Sequence, residues 1–177
     1  TIAEIGRRHD ALRTAIRLNG DEPQQVISAE KLDLQFVDVS ELPEAEREEA
    51  LTQRRDAEMS RPFDLTQAPL MRCLLFRKSA DEHWLTFVTH HIISDGTSHD
   101  ILLRDIRRLY TARVTGGELP ASPPVRFADF VRWQRGWLQL PEQTRQIDSW
   151  KERLLGMPSV LELPADHQRP VELSHRA

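Results

Sequence analysis

The chain has 177 residues, 24 Lys and Arg scattered among 28 Asp and Glu, a formal net charge of -4 and one cysteine, Cys73. An acidic excess with no basic stripe excludes nucleic acid as an expected partner, and no apolar run approaches the ~20 residues of a membrane span, so no membrane association is expected either. Thr1-Ile-Ala-Glu-Ile5 lacks the pattern of a secretion signal and Cys73 has no partner within the chain, so the expected setting is reducing and cytoplasmic, with Cys73 a small buried hydrophobe.

The length fits one domain able to bury roughly 70% of its unfolded surface. The chain does not open on Met, and Ile2, Ile5 and Leu12 already mark a helix under way to about residue 10, so a piece of a longer protein is expected. Leu12 to Leu18 alternates toward Asn19-Gly20, a strong turn dipeptide, which predicts a hairpin returning through Gln25-Val-Ile27. Leu34 to Val39 reads as a strand. Ser40, Leu42-Pro43 and a Glu/Arg-rich stretch read as a capped helix to about Ser60 whose charges form a mostly solvated face.

Arg61-Pro-Phe-Asp-Leu65 is a non-helical link, and the apolar runs at 70 to 78 and 83 to 90 predict a second hairpin ending in His90 and His91. Ile101, Leu102, Ile106, Leu109 and Tyr110 recur at helical spacing until Gly116-Gly117 stops the helix. Beyond the stiff segment from Pro120 to Pro124, Phe127, Phe130, Trp133 and Trp137 mark an aromatic-rich helix, and Gln143 to Leu155 marks another. The four-residue spacing of Trp133 and Trp137 puts them on one helix face, where core packing is expected ahead of a docking role. The stretch from Leu161 carries prolines and no period, so residues 161–177 are expected to be a strap or linker and residues 1–160 the folded lobe. Strands and helices mix without strict alternation, which predicts an α+β fold, a two-layer α/β sandwich with a mixed sheet.

The string His90-His-Ile-Ile-Ser-Asp-Gly96 sits where a strand hands over to a helix, and three readings compete for it. In the first, Asp95 caps the helix through the amides of Thr97 or Ser98 and the histidines are ordinary strand-end residues. In the second, His91, Asp95 and His99 are metal ligands four apart, although Gly96 argues against a continuous helix through them. In the third, one histidine faces a cavity and handles a proton for two bound substrates. Ser94, Ser98 and Cys73 are poor nucleophiles here, because no strand-turn-helix nucleophile motif surrounds them.

HHIISDG resembles the HHxxxDG signature of the condensation domains of nonribosomal peptide synthetases, in the chloramphenicol-acetyltransferase-like superfamily. Further blocks follow in the family's order: Arg8-His-Asp-Ala-Leu-Arg-Thr14, Arg61-Pro-Phe-Asp-Leu65 with Pro69-Leu-Met-Arg72, Phe127-Ala-Asp-Phe-Val-Arg-Trp133, and Leu161-Glu-Leu-Pro164 with Arg169-Pro170. Asp10, Ile16 and Thr97 depart from the family's usual Glu, Phe and aromatic residue. The resemblance covers the N-terminal lobe alone, so the chain by itself is expected not to turn over, with the strap leading to a C-terminal lobe.

The resemblance implies amide formation between a donor acyl or peptidyl thioester and an acceptor aminoacyl thioester. By the same resemblance no cofactor would be bound directly, both substrates would ride on phosphopantetheine arms of peptidyl carrier proteins, and an adenylation domain would be a neighbour in the parent. His91 would be the catalytic group, as general base or as a group that positions the amine. Asp95 would pair with an arginine, Arg13 first and Arg8 second, to hold the loop. Gly96 would admit the substrate and offer an amide to the oxyanion. His90 would be structural, packed behind the loop, and His9 a scaffold residue. The same signature also occurs in epimerisation domains and would suit an acyl-CoA-dependent acyltransferase. A noncatalytic carrier-docking module is the reading from another class.

Overall fold

The computed structural model describes residues 1–160 and Pro164; the expected strap, that proline apart, lies outside the described residues. Two compact units divide the chain, Thr1–Val131 and Arg132–Ala177.

In the first unit, helix α1 (Ile2–Arg8) buries Ile2 and Ile5 and runs into a 3-10 turn, Asp10–Arg13. Gly6 marks a close approach, since a Cβ there would stand 2.9 Å from Leu32 Cγ. On the same helix Glu4 accepts from Arg7 at 2.6 and 2.8 Å and from Arg8 at 2.8 Å. The Arg7 hydrogen bond, with Arg8 behind it, holds the Glu4 carboxyl at about 2 against an ordinary 4.5. A depressed folded-state value stabilises the fold fully above the unfolded value and loses that contribution as the pH falls toward the folded one. Glu4→Gln is therefore expected to flatten the fall in stability between pH 4.5 and about 2, read by urea unfolding across that window. An unchanged pH slope would refute the assignment.

Strands β1 (Thr14–Asn19) and β2 (Glu22–Ile27) form the first hairpin, in register Thr14↔Ile27 to Asn19↔Glu22. The loop residues are therefore Gly20 and Asp21, with Gly20 at φ +62, a conformation that glycine adopts without steric cost. Strands β3 (Leu34–Asp38), β4 (Met71–Arg77) and β5 (His83–Thr89) form a mixed sheet in the order β3-β4-β5, parallel on one side of β4 and antiparallel on the other. Helix α2 (Glu44–Ser60) makes the crossover that a parallel pair requires. Ser40 does not cap it: the Ser40 amide and hydroxyl both donate to Asp38 Oδ1, and Pro43 occupies the cap position without a side-chain bond.

The period of two along β4 explains how one strand serves two cores. Met71 and Cys73 pack with Ile2, Ile5 and Leu12 and with Leu102, Ile106 and Leu109, while Leu74 and Phe76 pack with Val39 and Leu51. The expected α+β architecture with a mixed sheet is present, and β4 is covered on both faces. Burial, with the charge of Asp33 behind it, pushes the Cys73 thiol up to about 12, so it remains an unreactive hydrophobe.

Helix α3 (Gly96–Thr115) presents Leu102, Ile106 and Leu109 to the core and ends at Gly116, which is left-handed at φ 68. Helix α4 (Phe127–Leu138) contains the boundary between the units, and α5 (Pro141–Leu154) belongs to the second. Trp133 and Trp137 do not fill a core: they stack on each other, centroids 6.0 Å apart, and remain 59% and 37% exposed. The four-residue spacing that aligned them lets each ring shield the other. Among the described residues no helix is long and apolar enough to cross a membrane.

Candidate active site

The end of β5 carries the chain into a turn at His91–Ile93, then through Ser94 and Asp95 into α3. His90 is fixed on three sides. Its amide donates to the Leu70 carbonyl at 3.0 Å and its carbonyl accepts from Ile93 at 3.1 Å. Its Nδ1 accepts from the Ile92 amide at 3.1 Å, which places the ring proton on Nε2 in the neutral form. The ring also meets the edge of Phe63 at 89° and 6.0 Å.

Phe63 in turn lies under the Arg72 guanidinium, 3.7 Å from the ring centroid. Arg72 donates to the Glu58 and Arg61 carbonyls at 2.7 and 2.6 Å, and its Nε stands 3.2 Å from Glu58 Oε2 without hydrogen-bond alignment. The Arg61-Pro-Phe stretch and Arg72 thereby form a backing for the histidine loop. Arg54 and Arg61 also reach Glu58, at 3.0 and 2.7 Å.

Asp95 is the N-cap of α3, accepting from the Ser98 amide at 2.8 Å and the Ser98 hydroxyl at 2.6 Å. These two bonds, with a smaller contribution from His91, hold its carboxyl below the usual carboxylate range. The ionised cap also opposes the positive end of a 20-residue helix. The expected Asp95–Arg13 pair does not form, nor does the pair with Arg8; among the described residues no arginine stands at ion-pair distance from Asp95. Both guanidiniums are engaged elsewhere. Arg13 donates to the Gly6 carbonyl at 2.7 Å, to the Ser28 carbonyl, and to Asp10 at 2.6 Å. Arg8 donates to Glu4 and to the Pro120 and Ala121 carbonyls.

Asp10 is the acid that needs an arginine. It is 6% exposed, and its second oxygen accepts from Arg126 at 3.0 Å, tying the 3-10 turn to the segment before α4. Sequence reading missed this cluster and the neighbouring His9–Asp105 contact of 2.9 Å. The one legible signal was an acidic residue three positions before Arg13 in an otherwise apolar turn.

A cavity of about 510 Å³ opens beside the loop, lined by the 3-10 turn and β1, by residues 91–95, by α3 and by residues 125–127 and 130. Its walls are largely apolar, including Leu12, Ile16, Ile92, Ile101, Leu102 and Phe127. His91 lines it from the exposed turn, and its imidazole makes no hydrogen bond among the described residues. The polar neighbours His9, Ser94, Asp95, Ser98 and His99 line the same cavity and are all bonded within the protein. His91 is therefore the titratable group of the loop whose ring is left for an incoming molecule.

Gly96 opens α3 without a left-handed φ, and a Cβ added there would meet nothing within 4 Å. No feature of this chain's own packing demands glycine at that position. The metal reading finds no geometry: α3 begins only at Gly96, His99 Nε2 is engaged with Thr89, and among the described residues no group of three His, Cys, Asp or Glu is placed to hold an ion.

A histidine with a free ring, set beside a capped helix N-terminus at the mouth of an apolar cavity, is an arrangement suited to a proton-handling group in acyl transfer. The model of the condensation-domain family matches residues 1–177, and the chain belongs to that family. It is 36% identical over 178 residues to malpinin synthetase of Mortierella alpina, covering 99% of this chain and 2% of the synthetase. It is 39% identical over 175 residues to chondramide synthase of Chondromyces crocatus, covering 98% of this chain and 4% of the synthase. Among solved structures, the X-domain from teicoplanin biosynthesis superposes with a TM-score of 0.78 at 31% identity, over 96% of this chain and 37% of that one. The chain thus spans a small part of these curated synthetases and little more than a third of the X-domain chain.

Proposed function

We propose that, within its parent protein, this domain forms an amide bond between two thioesters. The amine of an acceptor aminoacyl thioester attacks the carbonyl carbon of a donor acyl or peptidyl thioester. The C–N bond forms, the C–S bond breaks, and the amine proton leaves as the donor's thiol is released. Each substrate is carried on the phosphopantetheine arm of a carrier protein. A second lobe supplies the opposite wall of the site, an adenylation domain is a neighbour, and the setting is the cytoplasm. The observation that carries this reading is the unbonded His91 imidazole at the cavity, in a loop whose other polar groups are committed.

His91 accepts the amine proton, or accepts a hydrogen bond that orients the amine's lone pair on the carbonyl. Orientation alone supplies a large effect, since effective molarities for aligned reactants reach about 10⁵ M or more. Gly96 stands in the first turn of α3, where backbone amides lack intrahelical acceptors and face developing negative charge favourably. His90 and Asp95 act through geometry, the first by holding Ile92 and the second by fixing where α3 begins. Arg13 holds the 3-10 turn that forms the cavity's other side, and Arg8 ties the end of α1 to the Pro120–Ala121 segment.

The test loads donor and acceptor carriers onto the full-length protein and follows the acceptor arm by mass spectrometry. The expected product is the donor acyl group joined to the acceptor amine on the acceptor carrier. An inverted α-carbon without joining would indicate epimerisation, and carrier binding without either product a docking module. Gly96→Ala provides a second check. Because φ and space both permit a methyl, the protein is expected to be as stable as the parent or up to about 1 kcal/mol more so. On the reading that Gly96 borders the path of the thioester, amide formation is expected to fall at least tenfold. A variant with full activity would remove Gly96 from the site.

A further inference from the structure

Thr89, the last residue of β5, connects both ends of the reaction loop through one hydroxyl. Ser94 Oγ donates to Thr89 Oγ1 at 2.9 Å, and Thr89 Oγ1 lies 3.0 Å from His99 Nε2 on α3. Ser94 is 8% exposed, so its hydroxyl is bonded inside the protein and away from water. The loop's other links are the His90 amide to the Leu70 carbonyl, His90 Nδ1 to the Ile92 amide, the His90 carbonyl to the Ile93 amide, and Asp95 to Ser98. None of those joins the strand to the helix.

We propose that the Ser94–Thr89–His99 bridge is a positioning device that sets the location of His91 relative to α3. The inference rests on His91 being the group that handles the amine. The loop leaves β5 after Thr89 and re-enters regular structure at Gly96, so its shape depends on the separation of those two ends. A side chain bonded to the loop's exit and to the first turn of the helix fixes that separation. The single Thr89 proton points to His99 when the imidazole is neutral at Nε2, and a protonated His99 donates to Thr89 in return, so the contact holds in either form. Its loss would leave Ser94 as a buried hydroxyl without its acceptor and let the turn bearing His91 slide along the cavity wall.

Catalysis is sensitive to displacements of about 1 Å, which can cost on the order of 100-fold. In the full-length protein with loaded carriers, Thr89→Val keeps the shape and removes the hydroxyl. It is expected to lower kcat about tenfold with KM for the acceptor carrier unchanged within about twofold, an interaction lost in the transition state alone. Thr89→Ser is expected to restore kcat to within about threefold, and His99→Phe, at an exposed position, to reproduce the loss without disturbing the core. Amide hydrogen exchange at Ile92 and Ile93 is expected to accelerate in Thr89→Val and to return to normal in Thr89→Ser. His91→Ala run in parallel separates the two claims. If it abolishes turnover while Thr89→Val and His99→Phe keep the parent kcat and exchange rates, the bridge does not position His91. If His91→Ala keeps full turnover, the reading of His91 itself fails. Should Thr89→Val not fold, the His99→Phe kinetics and exchange decide the matter alone.

Discussion

Replacing His91 by alanine is expected to lower the rate of amide formation by about 10²- to 10⁴-fold, the range over which a positioned acid or base acts. The protein should remain folded. His91 is exposed in a turn, its ring makes no hydrogen bond among the described residues, and surface substitutions away from specific features change stability within about 0.5 kcal/mol. A loss of rate at unchanged melting temperature therefore belongs to the reacting atoms and not to the scaffold. The pH dependence separates the two roles left to the imidazole. A general base leaves an acidic limb in kcat/KM of the parent that disappears in His91→Ala, because the titrating group is gone. A positioning group lowers the rate at every pH and leaves the limb set by the acceptor amine. Equal rates for variant and parent would remove His91 from the chemistry.

How far such a site could be read from the sequence depends on whether local chemistry or long-range convergence decides each feature. Local chemistry places the hairpins, since alternation with Asn19-Gly20 between the runs leaves few other solutions, and it places α3, where Asp95 opens the helix and Gly116 closes it. It also yields the cap on Ser98, which the plainest reading of Asp95 anticipates. The third member of the Arg13–Asp10 cluster could not be read in this way. Arg13 and Asp10 stand only three positions apart, whereas Arg126 arrives from 116 positions along the chain to share Asp10. Solvated and buried charges on α2 are equally alike in sequence. Glu58 sits among glutamates and arginines that face water, yet it lies seven residues after Leu51 and so on the same buried face. That spacing was a usable signal.

Glu58 is where the loss of one side chain is expected to do the greatest structural harm. It is 4% exposed and lies within 3.2 Å of three guanidiniums, those of Arg54, Arg61 and Arg72. Arg54 and Arg61 are 43% and 53% exposed and can turn to water, but Arg72 is 9% exposed, and burial together with the charge of Arg61 already lowers its pKa. Glu58→Ala leaves that buried cation with carbonyl acceptors and no counter-charge, a change that costs about 3–5 kcal/mol. That is a large share of the stability of an ordinary domain, roughly 5–15 kcal/mol. Arg54→Ala provides the contrast: it removes an exposed partner from the same carboxylate and is expected to cost about 1 kcal/mol or less. Chemical denaturation of the two variants, side by side, measures the difference. Comparable midpoints would show that Glu58 behaves as a surface charge. The same substitution reaches the site through packing, because Arg72 stacks on Phe63 and Phe63 meets the ring of His90. A Glu58→Ala protein stabilised enough to remain folded should therefore show faster amide exchange at Ile92, whose donor bond depends on the orientation of that ring.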